Sequence, residues 1–280
     1  MGSKRKTRAI TCGTQMPISI KRFFVGKGRM NHLACAIVVG FIFIHLTMRM
    51  VERSNERRND MQVFELRHGK HTPSHLDLLD PRSDLRSIGF RNIDVTHRQG
   101  MIHTGAWIHL VDTSLSQNPK VLLLRRGKGL VTCPDTWSLI GEHAYRDETP
   151  VATVERALLE ELGPKALQAV QRQGSITNLT AAPVYYERQY GPGNGNRIDR
   201  QCTYLWLVEM NVDGDNIGSH YWEEVLDIDN EAIDHVWKSL DELERWMESG
   251  TALQDFCHDS ILSLLRLGMD RMKVLKKAKK

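Results

Sequence analysis

Apolar positions along this chain fall into two spacings and one uninterrupted block. In "PVATVERALLEEL" Val151, Val154, Leu158, Leu159 and Leu162 recur at helical spacing and mark the expected buried side. Thr149 is a suitable N-cap, Pro150 sits at the favoured first helical position, and Gly163 followed by Pro164 stops the element, which predicts a helix over 150–162. "LDELERWMESG" (240–250) repeats the helical spacing. "GAWIHLVD" (105–112), "KVLLLRRG" (120–127) and "QCTYLWLVEM" (201–210) are short apolar stretches bounded by turn residues, and read as strands. "QYGPGNGNRIDR" (189–200) is a Gly/Asn/Pro loop between strands. Strands alternating with helices predict an α/β or α+β sandwich.

The block is Leu33–Met48, "LACAIVVGFIFIHLTM", which carries no charge. With its flanks it approaches the roughly 20 residues that a helix needs to cross a bilayer. Eight Lys and Arg precede it, and the positive-inside rule places that side in the cytoplasm. Its lead is too long and its far flank too charged for a cleaved signal peptide. The expectation is a single-pass anchor. The far flank also holds Arg49, Arg53, Arg57 and Arg58, so the side of the membrane and the organelle stay open. "NLT" at Asn178 is usable as a glycosylation acceptor only in a lumen. The organisation read from the sequence is a basic segment (1–31), the anchor (32–50), a polar linker (51–90), a domain (91–268) and a basic tail (269–280).

Charge supports that division. The net charge of +4 comes from the N-terminus, because residues 1–51 hold nine Lys or Arg and no Asp or Glu. The remaining 229 residues carry 29 basic against 34 acidic side chains. A nucleic-acid surface on the domain is therefore not expected. Cys12, Cys35, Cys133, Cys202 and Cys257 are odd in number and lack CxxC spacing, which predicts separate thiols and neither a disulfide framework nor a zinc site.

The candidate chemistry lies in "GEHAYRDETPVATVERALLEELG" (141–163). Glu148 stands before the helix, Arg156 and Glu160 are one turn apart, and Glu161 is adjacent. Carboxylates converging from a loop and one helix face suit a hard divalent ion that takes its other ligands from substrate phosphates. The alternative is a solvated face carrying an Arg156–Glu160 pair.

This stretch resembles the Nudix box: Gly, five residues, Glu, seven residues, then Arg-Glu-apolar-any-Glu-Glu-any-Gly. Six positions match, namely Glu148, Arg156, Leu158, Glu160, Glu161 and Gly163. "KVLLLRRGKGLVTCPDTWSLIGEH" and "DNEAIDHVWKSLDEL" resemble the family's flanking segments, which extends the likeness over about residues 90–265. The resemblance implies a Nudix-type α/β/α sandwich with a mixed sheet. It also implies hydrolysis of a small-molecule diphosphate, such as a nucleoside diphosphate derivative, with Mg²⁺ or Mn²⁺. Arg156, Glu160 and Glu161 would be catalytic, with Glu148, Glu160 and Glu161 holding the metal.

Two positions depart from the pattern. Glu142 replaces the glycine, and Ala157 replaces a glutamate that in the family binds metal or activates water. Glu155 lies on roughly the opposite face and cannot substitute, whereas Glu187 and Glu224 are other candidate bases. A glutamate at 157 would lie one turn before Glu161, so Ala157→Glu is expected to strengthen the site. The loss at 157 also motivates a second reading, a Nudix fold kept for binding a nucleotide or a protein. A third comes from "DVTHRQGMIHTGAWIHLV", which is similar to the lead-in of isopentenyl-diphosphate isomerases. In those enzymes histidines like His97, His103 and His143 bind a metal and a cysteine moves the proton. Here the position beside His143 is Gly141 or Glu142, and "LTAAPVYYERQY" lacks the isomerases' paired glutamates. His97 and His103 are accordingly expected to be hydrogen-bonded structural histidines. Trp107, Trp137, Trp206 and Trp237 are expected in the core.

Overall fold

The structure, a computed structural model, describes residues 60–278, apart from 68–72, 75, 81, 115–117, 193–195, 212–219, 229–230 and 258. The expected anchor at 32–50 lies outside these residues. Among those described, no helix is long and apolar enough to cross a membrane.

One mixed sheet of ten strands organises the domain. Its path runs β10 (Ala232–Ser239), β4 (Lys120–Arg126), β3 (Ile102–Asp112), β1 (Asp60–Leu66), β2 (Leu85–Asn92). β3 also pairs in parallel with β9 (Ile198–Met210) over eleven positions, from Ile102 opposite Arg200 to Asp112 opposite Met210. β9 in turn carries β7 (Gly174–Asn178) and β8 (Val184–Gln189) antiparallel. Short β5 (Trp137–Ser138) and β6 (Ile140–His143) pair with β4 and β3.

Strand parity divides the side chains between two cores. Ala106, Ile108 and Leu110 of β3, Leu122 and Leu124 of β4, and Trp206 and Val208 of β9 pack against α2 (Pro150–Gln173). Their sequence neighbours Trp107, Val111, Val121, Leu123, Leu205 and Leu207 pack instead against α4 (Leu240–Glu248) and α6 (Asp259–Ala278), with α5 (Ala252–Asp255) between those helices. Helices thus cover both faces of the sheet. Trp107 and Trp206 are buried and Trp237 is half-buried, stacked 4.7 Å from Trp222, while Trp137 is half-buried beside the α5–α6 junction.

The box helix starts as its sequence dictates, with Thr149 accepting from the backbone N–H of Ala152. Its first half ends at Gly163, where φ is 84°, and a second helical half continues to Gln173. Glycine is required there twice over. The left-handed backbone disfavours other residues, and a Cβ would meet Asp227 at 2.6 Å. Of the expected apolar side, Val154, Leu158 and Leu162 are buried, but Val151 and Leu159 are 43% exposed. The buried stripe passes instead through Thr153 and Ala157, which neighbour Val154 and Leu158 on the same face.

Two further expectations change. The stretch 51–90, expected to be a linker, contributes β1 and β2 as an antiparallel pair, because Met61, Val63 and Leu85 bury their side chains in the sheet. The cysteines are not all separate either: Cys133 and Cys257 form a disulfide across 124 positions, with Cα atoms 4.9 Å apart. Only the fold brings those two together, so their spacing in the chain carried no signal. Cys202 is free and buried.

Candidate active site and metal centre

Arg156 is the hub of the box. Its Nε and Nη2 donate to the two oxygens of Glu148 (2.9 and 3.0 Å), and Nη1 donates to Glu160 (2.9 Å). Nη1 also lies 3.3 Å from Glu142, Nη2 donates to the carbonyl of His143 (2.5 Å), and the guanidinium stacks 3.9 Å over Tyr145. The fork-to-fork pair with Glu148 is the geometry that fixes an arginine most firmly. Glu148 also accepts from the backbone of Tyr145 and the hydroxyl of Thr153. Burial opposes ionisation of Glu148, but these hydrogen bonds hold its carboxyl below the ordinary range. Glu160 is exposed and Glu161 half-buried on the same helix.

Glu142 has the opposite character. Burial, partly offset by Arg156, pushes its carboxyl up to about 7, and neighbouring Glu160 acts in the same direction. Gly141, one residue earlier, lies under Trp107, where a Cβ would stand 2.3 Å from the indole. The position beside His143 that carries a cysteine in isomerases therefore has no room for a side chain.

On the other side of Glu142, three histidines and an aspartate meet. His97 comes from the last turn of α1 (Ile93–Gln99), His103 from β3, His143 from the end of β6 and Asp199 from β9. One ligand atom from each lies within 4.8 Å of the others, the one such group of His, Cys, Asp or Glu among the described residues. The parallel register builds this meeting, since it sets His103 opposite Gln201, two residues from Asp199. His103 Nδ1 is 3.1 Å from the carbonyl of Met101 and must donate to it. The Nε2 lone pair then faces His143 Nδ1 at 3.1 Å and Asp199 at 3.3 Å. This concentration of lone pairs requires a proton or a cation. Burial, reinforced by His103, keeps His143 neutral, lowering it to about 3. Burial would raise Asp199, but the imidazoles of His103 and His97 beside it hold it well below the carboxylate range. His97 Nε2 and Gln201 Oε1 are buried without hydrogen-bond partners. A neutral His143, an ionised Asp199 and unsatisfied buried atoms fit a divalent ion, and three nitrogen donors favour Mn²⁺ or Zn²⁺ over Mg²⁺. His97 Nδ1 accepts from Arg197 (2.9 Å), so its Nε2 could ligate only once Arg197 turns towards Asp94, with which it is already paired.

Glu142, which touches Arg156 of the box, and His143 and Asp199 of the histidine centre line one cavity of about 110 Å³, with Gln201, Arg126 and Tyr190 also on it. The family model described as NUDIX domain matches residues 102–256, over half of the chain. The chain belongs to the Nudix family. That family comprises hydrolases acting on diphosphate linkages. Solved structures similar to this Nudix chain include a C. elegans Ap4A hydrolase (16% identity, 62% of this chain and 98% of that one, TM-score 0.39). Others are the NUDIX domain of Shewanella oneidensis NrtR, complexed with ADP ribose (18%, 60% and 87%, 0.37), and E. coli dihydroneopterin triphosphate pyrophosphohydrolase (14%, 57% and 90%, 0.38). No curated protein matches the chain.

Within this Nudix domain Arg156 engages Glu148 and Glu160, two of the three expected metal ligands. His97 and His103 are hydrogen-bonded, as expected, to Arg197 and to Met101 and His143, and they also belong to a four-residue group that could hold a metal. Asp199 and Gln201 were missed because the acids were sought in "LTAAPVYYERQY", on β8, whereas they stand on β9. An Asp at i and a Gln at i+2 at the head of a strand that turns apolar further on was the available signal. Glu187 is bonded to Tyr185 and Arg200, and Glu224 is exposed; neither borders the cavity.

Proposed function

We propose that this chain hydrolyses the diphosphate linkage of a nucleoside diphosphate derivative with the help of a divalent ion held at His103, His143 and Asp199, with His97 as a further ligand. The observation carrying this reading is that Glu142 and His143, adjacent on β6, join the box to the histidine centre at a single cavity. A bound divalent ion would neutralise phosphate charge and make a water more acidic. The remaining steps belong to the chain. Glu142, poised near 7, accepts the proton of the attacking water. Arg156, fixed by Glu148, holds Glu142 and Glu160 in place. Arg126, on the cavity wall, supplies a positive charge to the diphosphate. Glu160, once released from Arg156, and Glu161 would hold a second ion of the Mg²⁺ or Mn²⁺ type, which would add positive charge beside the substrate phosphates.

The test is turnover of ADP-ribose, Ap4A and related diphosphates by the full chain with Mn²⁺, Mg²⁺ or Zn²⁺. Turnover that is lost in His103→Ala and in Glu142→Gln supports the reading. Tight nucleotide binding without turnover on any of them would instead favour the binding-module reading that Ala157 motivates.

For its location, we infer a single-pass anchor at 32–50 with the domain on the non-cytoplasmic side. A disulfide is typical of oxidising compartments, and Asn178 of the sequon is exposed. Retention in the membrane pellet after carbonate washing, with a mobility shift on deglycosylation, is the expected result. A soluble chain, or a domain digested by protease outside sealed vesicles, would overturn it.

A further inference from the structure

We propose that the Cys133–Cys257 disulfide is a cleavable strap forming one wall of the active-site cavity, and that thiol–disulfide exchange with a dithiol opens that wall. The bond ties the loop 127–136, which follows β4, to the junction between α5 and α6. Thr132 and Cys257, one from each tied segment, both line the cavity that Glu142, His143 and Asp199 also line. The rest of the loop is held by few contacts. Arg126 donates to the carbonyl of Thr132 (3.2 Å), Thr136 donates to that of Cys133 (2.9 Å), and Asp135 pairs with Arg125, all local contacts within the loop or its stem. Backbone bonds fasten its two ends, from Gly127 N–H to the carbonyl of Glu231 (2.7 Å) and from Cys257 N–H to the carbonyl of Trp137 (3.2 Å), and the disulfide ties the stretch between them. Apolar burial does not anchor it, since Val131 is 57% exposed and Lys128 and Gly129 are exposed. Cys133 and Asp135 hold left-handed backbones, with φ of 51° and 59°, which non-glycine residues rarely adopt. Both half-cystines are half-buried and neither is sealed in the core.

The exchange balances without further reactants. A thiolate of the dithiol attacks one sulfur and forms a mixed disulfide, releasing the other cysteine as a thiolate. The second thiol of the reagent then displaces the first cysteine. Two electrons pass to the protein, which gains two thiols, and the reagent leaves as its own disulfide. On the diphosphatase reading above, opening this wall controls substrate entry.

The test is hydrogen exchange of the full-length chain, oxidised and after dithiothreitol, read by mass spectrometry. Reduction is expected to speed amide exchange in 127–136 and around Cys257 at least tenfold while leaving β3 and β9 unchanged. Cys133→Ser and Cys257→Ser should each reproduce the reduced pattern without reductant, and the Cys12→Ser/Cys35→Ser variant should respond as the unsubstituted chain does. If a strap variant fails to fold, the oxidised and reduced wild-type chains still decide the matter. Absence of a disulfide-linked Cys133–Cys257 peptide from protein prepared without reductant, or identical exchange before and after reduction, overturns the proposal. Exchange requires no turnover, so a chain that hydrolyses none of the diphosphates still tests the strap.

Discussion

Replacing Arg156 by alanine probes the box where it is most tightly built. The substitution leaves Glu142 and Glu148 without their cation, and their side chains are only 16% and 14% exposed. Removing one partner of a buried ion pair costs about 3–5 kcal/mol, because the other charge stays buried and uncompensated. The pair with Glu160, half of whose side chain is exposed, adds less than about 1 kcal/mol. At about 2–4 °C per kcal/mol for a domain of this size, the melting temperature at pH 7.5 falls by about 6–20 °C. The loss is pH-dependent, and its direction follows from the two acids. Glu142 already titrates near 7 and rises further without Arg156, so at pH 5.5 it is neutral and needs no cation. Glu148, held below the ordinary range in the intact network, still suffers there, so the loss shrinks without vanishing. Thermal unfolding followed by circular dichroism at both pH values, with Arg156→Ala/Glu148→Gln to recover part of the loss, measures each component. A fall below about 3 °C at both pH values would mean a solvated ion cluster and refute the reasoning.

Other outcomes follow from the same geometry. His103→Ala should abolish tight Mn²⁺ or Zn²⁺ binding in calorimetric titration, and EDTA should lower the wild-type melting temperature but not the variant's. Saturation at a hundred times Kd stabilises by about 2.7 kcal/mol. In EDTA, burial keeps His109 and His143 neutral in the fold, at about 4 and about 3, so stability is lost as pH falls below 6.5 and the unfolded chain takes up protons. Glu142, raised to about 7, opposes this by binding a proton in the fold. The net loss between pH 6.5 and 4.5 is therefore about 1.4 kcal/mol per pH unit, one proton, and Glu142→Gln should roughly double it in urea titrations. Ala157→Glu, which helix geometry alone would favour, should instead destabilise by about 3 kcal/mol or more, since residue 157 is fully buried within the apolar core between α2 and the sheet and the acid would lack a partner. An unchanged denaturation midpoint would place position 157 at the metal edge.

The box was legible because its signal is local. A cap, a proline, a stop and charges at i and i+4 all reside within one helix and its approach, and short-range geometry arranges them in the same way in any fold. Strands β3, β4 and β9 were legible from apolar content alone. The hairpin of β1 and β2 was not, because Met61, Val63 and Leu85 are too few and too far apart in polar text to give a period. The histidine centre was half legible. His97, His103 and His143 stood out as residue types, but their joint role depends on a strand almost a hundred positions away. The disulfide depends on a still longer separation. Ala157 illustrates the reverse case, where the helical repeat gave a direction along the helix but no information on what the sheet packs against it.

The parallel pairing of β3 with β9 also governs when the centre can exist. Contacts between residues this far apart in sequence close slowly, because the intervening chain loses its freedom before they form. Residues 97–143 can fold their own turns and hairpins during synthesis, yet Asp199 arrives only after 56 more residues have been added beyond His143. Capture of the proposed ion would thus report on completed folding: a nascent or truncated chain ending before β9 has imidazoles but no Asp199 to set among them, and could not be loaded into the form proposed to turn over substrate.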